Sequence, residues 1–508
     1  MKASSGATCV FSILNGVYSC NLENANVQAD VNTVEIQGKH LSGYSDANVR
    51  RFIANATVLN FMPPSILNRF FNIVWMEVTH VGLTSLQQRN FGDCARIDDL
   101  DLSHNFLSSL SSDVFATCGS LQSLTLDYNQ IDNLSETAFN VLGRLVRLSI
   151  DSNRLNSINE NQFRWLSNLQ LLSLRSNEVS RISTELFRNN RELRSILLAR
   201  NFLTSIDGNT FSGLQFLAFL DFTGNRIISV NFGEFSSSSL NVLQLTQNRL
   251  TEVPHLGNVE NLKDLRLDHN NIETIDPEAF IRLGQLETLN LAGNGIVSFQ
   301  SASFAGFGNL KTLSLQSNNF SQLQPNIFEH LRSLEQLNLF SCSNSLTINT
   351  GAFSNLQNLK VLEVQQCKIR QLSSGTFNNL VSLQRLVLSR NEIRRLNSNA
   401  FGQLNNLQVI VIEQNVIDEI EPNFLKNFPT LQDLQIQDNK CINQNIQNIK
   451  NVDMNLFEEC FENWNTPRTT PIITTSTTDA GSREKALAYL FVGCFLIVMM
   501  VKNNSNTV

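Results

Sequence analysis

Apolar residues fall in one phrase that returns along most of the chain. Leu121-Gln-Ser-Leu124-Thr-Leu126-Asp-Tyr-Asn129-Gln-Ile131 begins again at Leu145, Leu169, Leu193, Leu217, Leu240, Leu262, Leu286, Leu310, Leu334, Leu359, Leu383 and Leu407. The step is 24 residues in most cases and never leaves 22–25. An earlier copy starts at Ile97, a partial one at Leu431, and weaker copies near Ile73, Ala56 and Val31. Self-similarity at such a period marks a stacked repeat architecture. The alternation Leu-x-Leu at the end of the phrase predicts a short strand. Successive strands then pair in parallel, and the rest of each unit supplies the crossover that parallel pairing needs. The leucines fill a core that no single unit could bury alone.

Two further columns follow from the same register. The ninth position holds Asn in most units, from Asn105, Asn129, Asn153 and Asn177 to Asn391, Asn415 and Asn439. There the chain turns inward, and an amide can satisfy backbone donors and acceptors that the turn buries. The chain has 34 Phe against 4 Tyr and 3 Trp. Phe115, Phe139, Phe163, Phe187, Phe211, Phe235, Phe280, Phe304, Phe328, Phe353, Phe377, Phe401 and Phe424 share one column and predict an aromatic spine on the convex side.

The pattern L-x-x-L-x-L-x-x-N-x-L-x-x-L resembles the leucine-rich repeat of extracellular proteins. It is similar to the unit of insect extracellular leucine-rich repeat proteins, Toll ectodomains and the mosquito leucine-rich immune proteins. The resemblance covers roughly residues 31–440, and 9–30 through Cys9-Val-Phe and Tyr18-Ser-Cys20-Asn-Leu22. It implies an α/β leucine-rich repeat solenoid, a curved horseshoe with a parallel β-sheet on its concave face, built from about 15–17 units. The chain departs from those relatives in three ways. It has no Toll-type signalling domain, two cysteines in the C-terminal cap where many relatives use four, and no heptad run.

Solenoid ends need caps. Cys9 and Cys20 bracket an apolar hairpin in an N-terminal cap (1–30), and Cys441 and Cys460 close a C-terminal cap (441–465). Each pair is expected to be bonded. Cys94 and Cys118 occupy matched positions in neighbouring units, as do Cys342 and Cys367 in place of the ladder Asn. Both pairs lie within Cα reach of a disulfide, yet parallel side chains do not favour its torsion. Bonding is left open for Cys94 and Cys118, and buried thiols are favoured for Cys342 and Cys367.

After the cap, residues 466–485 are rich in Thr, Ser and Pro, the composition of an O-glycosylated stalk. Residues 486–501 are apolar and uncharged, and 502–508 form a short polar tail. The apolar run is expected to span a membrane, with a lipid-anchor signal as the alternative. Sequons at Asn55, Asn133 and Asn319 fit a secretory route. Residues 1–30 carry no clean signal peptide, and the reading expects a leader missing from this sequence.

A net charge of −7 argues against nucleic acid as a partner. The six His and nine Cys show no metal-ligand spacing, and no cofactor is expected. No G-x-S-x-G, H-E-x-x-H or P-loop occurs, so an enzyme is not expected. Strand positions between the leucines face away from the core, and two apolar groups interrupt their polar run. Leu171, Leu197, Phe219 and Val242 form the first, rimmed by Arg147, Arg175 and Arg194. Val361, Val387, Val409 and Val411 form the second, beside Phe340, Arg385 and Arg390. Apolar centres with Arg-bearing rims suit protein recognition. Lys263, Asp264, Arg266 and Asp268 between them read as a solvated charge lattice.

The leading expectation is a plasma-membrane protein with extracellular repeats that bind a protein or glycan ligand, acting in immune recognition or adhesion. It would signal through a co-receptor. The alternative is a tail-anchored scaffold in the cytosol with reduced cysteines.

Overall fold

The computed structural model describes residues 7–465 apart from 28–32, 234, 236, 238, 448, 450 and 451. The stalk, the apolar run and the tail lie outside these residues. The repeat unit is a parallel-strand solenoid. Three-residue strands pair one to the next in constant register: Ser123 faces Arg147, Arg147 faces Leu171, and Leu171 faces Ser195. The ladder continues in this way to Asp433–Gln435. Crossovers are mostly turns, with two-residue bridges such as Ser109–Leu110 against Asn133–Leu134.

The core is one continuous apolar column. Leu124, Leu148, Leu172 and Ile196 are 0–1 % exposed, and so are their counterparts along the chain. The Phe column is buried with it. Phe115 and Phe139 lie 6.3 Å apart at 7° between planes, and Phe353 and Phe377 6.2 Å apart at 5°. Parallel planes at that separation are offset stacks.

The asparagine column works as a three-way clamp. Asn177 Oδ1 accepts the Leu155 amide at 3.0 Å, and its Nδ2 donates to the Ile150 carbonyl at 2.8 Å and the Leu174 carbonyl at 3.2 Å. One side chain thereby satisfies backbone groups of two turns. It also holds a strained residue in place. The position just before the Asn is left-handed, with φ of 53–56° at His104, Tyr128, Ser152, Ser176 and Arg200, and His80 before Val81 keeps the same conformation at 57°. That conformation costs a residue with Cβ on the order of 1 kcal/mol and persists only where its surroundings enforce it.

All four disulfides form. Cys9–Cys20 joins the antiparallel strands Ala7–Leu14 and Val17–Glu23, and Cys441–Cys460 ties the final turn to the helix Glu458–Asn465. Cys94–Cys118 is bonded at a Cα separation of 4.6 Å. Cys342–Cys367 is bonded too, at 4.5 Å, which overturns the expectation of buried thiols. Both residues stand where the clamp Asn turns inward, so their sulfurs meet in the core.

The first turns also differ from the sequence reading. The strand Arg51–Asn55 opens after Val49, seven residues before the weak copy at Ala56, and it uses Phe52 and Ala54 where later turns use leucines. It pairs with Val17–Glu23, so the cap hairpin itself extends the sheet. At the other end Trp464 lies 4.5 Å from the Arg395 guanidinium, which also pairs with buried Glu419 at 2.6 Å. This contact docks the C-terminal cap on the last repeats.

Candidate functional site

Every strand offers its core-averted positions to one sheet face. Register decides which of them meet. Leu171, Ser195, Phe219 and Val242 form one column, and all are half-buried. Leu197 does not join them: it stands two residues further along its strand, between Ser173 and Asp221. Arg147 faces Leu171 directly and extends the column instead of rimming it.

The second group divides in the same manner. Val361, Arg385 and Val409 are in register, half-buried, with the charge in the middle. Val387 and Val411 pair with one another in the next column and are 4 % and 6 % exposed. Adjacent β-branched side chains cover each other there, so these two are closed to a ligand. In the expected charge lattice Arg266 pairs with Asp264 at 3.1 Å, while Asp268 is buried and accepts the Thr246 hydroxyl at 2.9 Å.

A recess of about 490 Å³ opens where the sequence showed only polar residues. Asp127, Tyr128, Asp151, Arg175, Arg200 and Asp221 line it. Its acids are fixed by hydrogen bonds. Asp127 accepts the Ser149 hydroxyl and the Asp151 amide, each at 2.7 Å. Asp151 accepts the Ser173 hydroxyl and the Arg175 amide, each at 2.6 Å. Arg175 reaches across the strand Ser195–Leu197 to Asp221 at 3.0 Å. Burial raises both Asp127 and Asp151 above the usual carboxylate range, against those hydrogen bonds. Neighbouring acids add to it, Asp151 and Asp101 for the first and Asp221 for the second.

The left-handed position supplies the rim. His80 and His104 stack at 4.2 Å and 12°, and His104 and Tyr128 at 4.3 Å and 7°. All three are exposed, Tyr128 by 56 %. The sequence held a signal for this rim, since the three residues are spaced 24 apart, each just before the ladder position. A second, smaller hollow of about 270 Å³ lies toward the N-terminal hairpin, lined by Leu14, Arg51, Trp75, Glu77 and Asp99. Burial raises Asp99 as well.

The sequon residues Asn55, Asn133 and Asn319 are exposed. Among the described residues no group of three or more His, Cys, Asp or Glu could hold a metal, and no helix is long and apolar enough to cross a membrane.

Comparison with known proteins agrees with this architecture. The leucine rich repeat family model matches in overlapping copies from residue 167 to 440, and the BspA type leucine rich repeat region model matches 68–193. Human biglycan is 33 % identical over 97 residues, which is 19 % of this chain and 26 % of biglycan. The mouse leucine-rich repeats and immunoglobulin-like domains protein 2 is 36 % identical over 86 residues, 17 % of this chain and 8 % of that protein. The chain thus spans about a quarter or less of the length of these curated relatives.

Among solved structures, the Toll–Spatzle complex of Drosophila superposes with a TM-score of 0.60 at 21 % identity, covering 81 % of this chain and 57 % of that one. A leucine-rich repeat protein of Leptospira interrogans gives 0.57 at 29 %, covering 68 % and 86 %. The LRIM1/APL1C complex gives 0.57 at 20 %, covering 77 % and 64 %.

Proposed function

This chain belongs to the leucine-rich repeat family, and from that premise we propose that it is an extracellular binding protein of the receptor, co-receptor or adhesion kind. Its ligand, a protein or a glycan, is held on the sheet face. Residues 486–501 hold it at the plasma membrane, as a span or as a lipid-anchor signal. It acts through a co-receptor, or as an adhesion molecule.

The sheet face carries the reading. It is a continuous surface of side chains that the core does not use, with a recess and a stacked aromatic rim. Four bonded cysteine pairs suit an oxidising compartment. A reducing cytosol would work against them, which disfavours the scaffold alternative. Exposure of the three sequon residues permits glycans there. The Toll–Spatzle and LRIM1/APL1C structures are complexes of fold relatives with other proteins, the kind of partnership proposed for this chain.

A glycan wedge tests the proposal. Thr312→Asn creates a sequon with Ser314 in the middle of the sheet face, where both residues are half-buried. The secreted repeats are applied to cells of the native tissue and bound protein is counted by flow cytometry. Saturable binding to the wild type that is lost when the wedge is glycosylated is the expected result. Binding indifferent to the wedge, or none to any cell, sinks the reading.

A further inference from the structure

The N-terminal third of the sheet face is unlike the remainder. From the strand Trp75–Thr79 to the turn after Arg147–Ser149 it presents Glu77, Asp98, Asp99, Asp101, Asp127 and Asp151. Two basic side chains share this stretch, and one of them, Arg51, is already paired with Glu77. Arg147 is the other, two strand pairings from Asp99 with Ser123 between them. The acids are fixed, half-buried and close to one another. Ionised carboxylates in that setting repel each other and have lost part of their hydration, so a cation placed among them gains more than it would in water.

The two rims of the stretch are aromatic. Trp75 is 41 % exposed on one side, and the His80–His104–Tyr128 stack runs along the other. Open aromatic faces beside carboxylates suit a guanidinium or ammonium group, which pairs with the acid and lies over the ring. The recess between Asp127 and Asp221 has room for several such side chains but is open on the solvent side.

We propose that this stretch, from Trp75 to Asp151, docks a basic peptide segment of a protein partner, seating Lys or Arg side chains against Asp127 and Asp151 with Tyr128 as the stacking surface, while Arg175 and Arg200 close the recess on its far side. The inference rests on the reading of the sheet face as the binding surface and names the partner's chemistry. Electrostatic matching of this sort sets orientation and association rate as well as affinity.

The probe is a fluorescein-labelled heptapeptide carrying two Lys-Arg pairs, followed by anisotropy on the disulfide-bonded full chain at low and physiological salt. Asp127→Asn combined with Asp151→Asn is expected to weaken binding about tenfold, and Tyr128→Ala by a smaller factor. Both Asn side chains still accept the Ser149, Ser173 and backbone hydrogen bonds, so the fold is kept and circular dichroism verifies it. Asp433→Asn combined with Asp438→Asn removes the same charge at the far end of the sheet and should change the affinity less than about threefold.

Three results overturn the inference: no binding of the peptide, equal losses from both variant pairs, which means bulk charge alone, or displacement of the peptide by a neutral glucan oligosaccharide, which assigns the recess to a glycan. A silent peptide while cell binding still falls to the Thr312 wedge removes this inference and leaves the binding reading in place. Cell binding that ignores the wedge removes the reading itself.

Discussion

The sulfur atoms of Cys342 and Cys367 join two consecutive turns in which the clamp asparagine is missing. A covalent link stands where both turns would otherwise rely on side-chain amides. Closing a separation of 25 residues is worth roughly 3.5 kcal/mol in the chain-entropy account. Cys342→Ala with Cys367→Ala should lose about that much in a urea titration. Cys342→Asn with Cys367→Asn restores the amides and should unfold at higher urea than the alanine pair. Equal midpoints for the two double variants would show that the clamp is dispensable there.

Asn177→Ala removes one acceptor and one donor that serve two turns. The amide of Leu155 is then left buried and unpaired, and the carbonyl of Ile150 keeps only the longer bond from Asn153 Nδ2 at 3.4 Å. A loss of about 1–3 kcal/mol is expected, read as a lower melting temperature. An unchanged melting temperature would count against the clamp.

The aromatic spine gives a contrast between two phenylalanines. Phe353 is fully buried between Phe328 and Phe377, whereas Phe106 is 58 % exposed. Phe353→Ala should cost about 3–5 kcal/mol. Phe106→Ala should stay within about 0.5 kcal/mol. Calorimetry on both variants checks the difference, and similar costs would mean that the column is not the core.

Asp127 and Asp151 predict an unusual pH response. Burial is the main cause of their raised pKa values. A carboxyl held above its unfolded value favours folding most when protonated. Its contribution is complete below the unfolded pKa, near 3.9, and is lost as pH rises through the folded one. Replacing both by Asn should therefore raise the melting temperature at pH 7, with the gain fading as pH falls below about 4. A lower melting temperature at pH 7 would show that the hydrogen bonds outweigh the burial.

Features that repeat the same residue at the same offset were legible from the sequence. Leucine core, asparagine clamp and phenylalanine spine all belong to this kind. Features made by neighbours that differ were not. Leu197 is separated from Phe219 by a two-residue offset that only strand register reveals, and the burial of Val387 depends on Val411 beside it. The recess joins Asp127, Asp151 and Arg175, one position carrying acid, acid and base in successive turns, and so leaves no periodic trace. The first turns were misplaced because Phe52 and Ala54 fill the core where the phrase expects leucine.

The constant register turns the sheet into a ruler. Ten strand pairings separate the strand Ser123–Thr125 from Val361–Glu363. At about 4.8 Å each, that is roughly 48 Å along the face. An extended peptide needs about 14 residues to cover it. A short basic peptide therefore touches the acidic end alone, and a partner that also reaches Val361 and Val409 must be a folded protein or a long strand. Deleting one whole turn would shorten the ruler by one division and leave every other division in register.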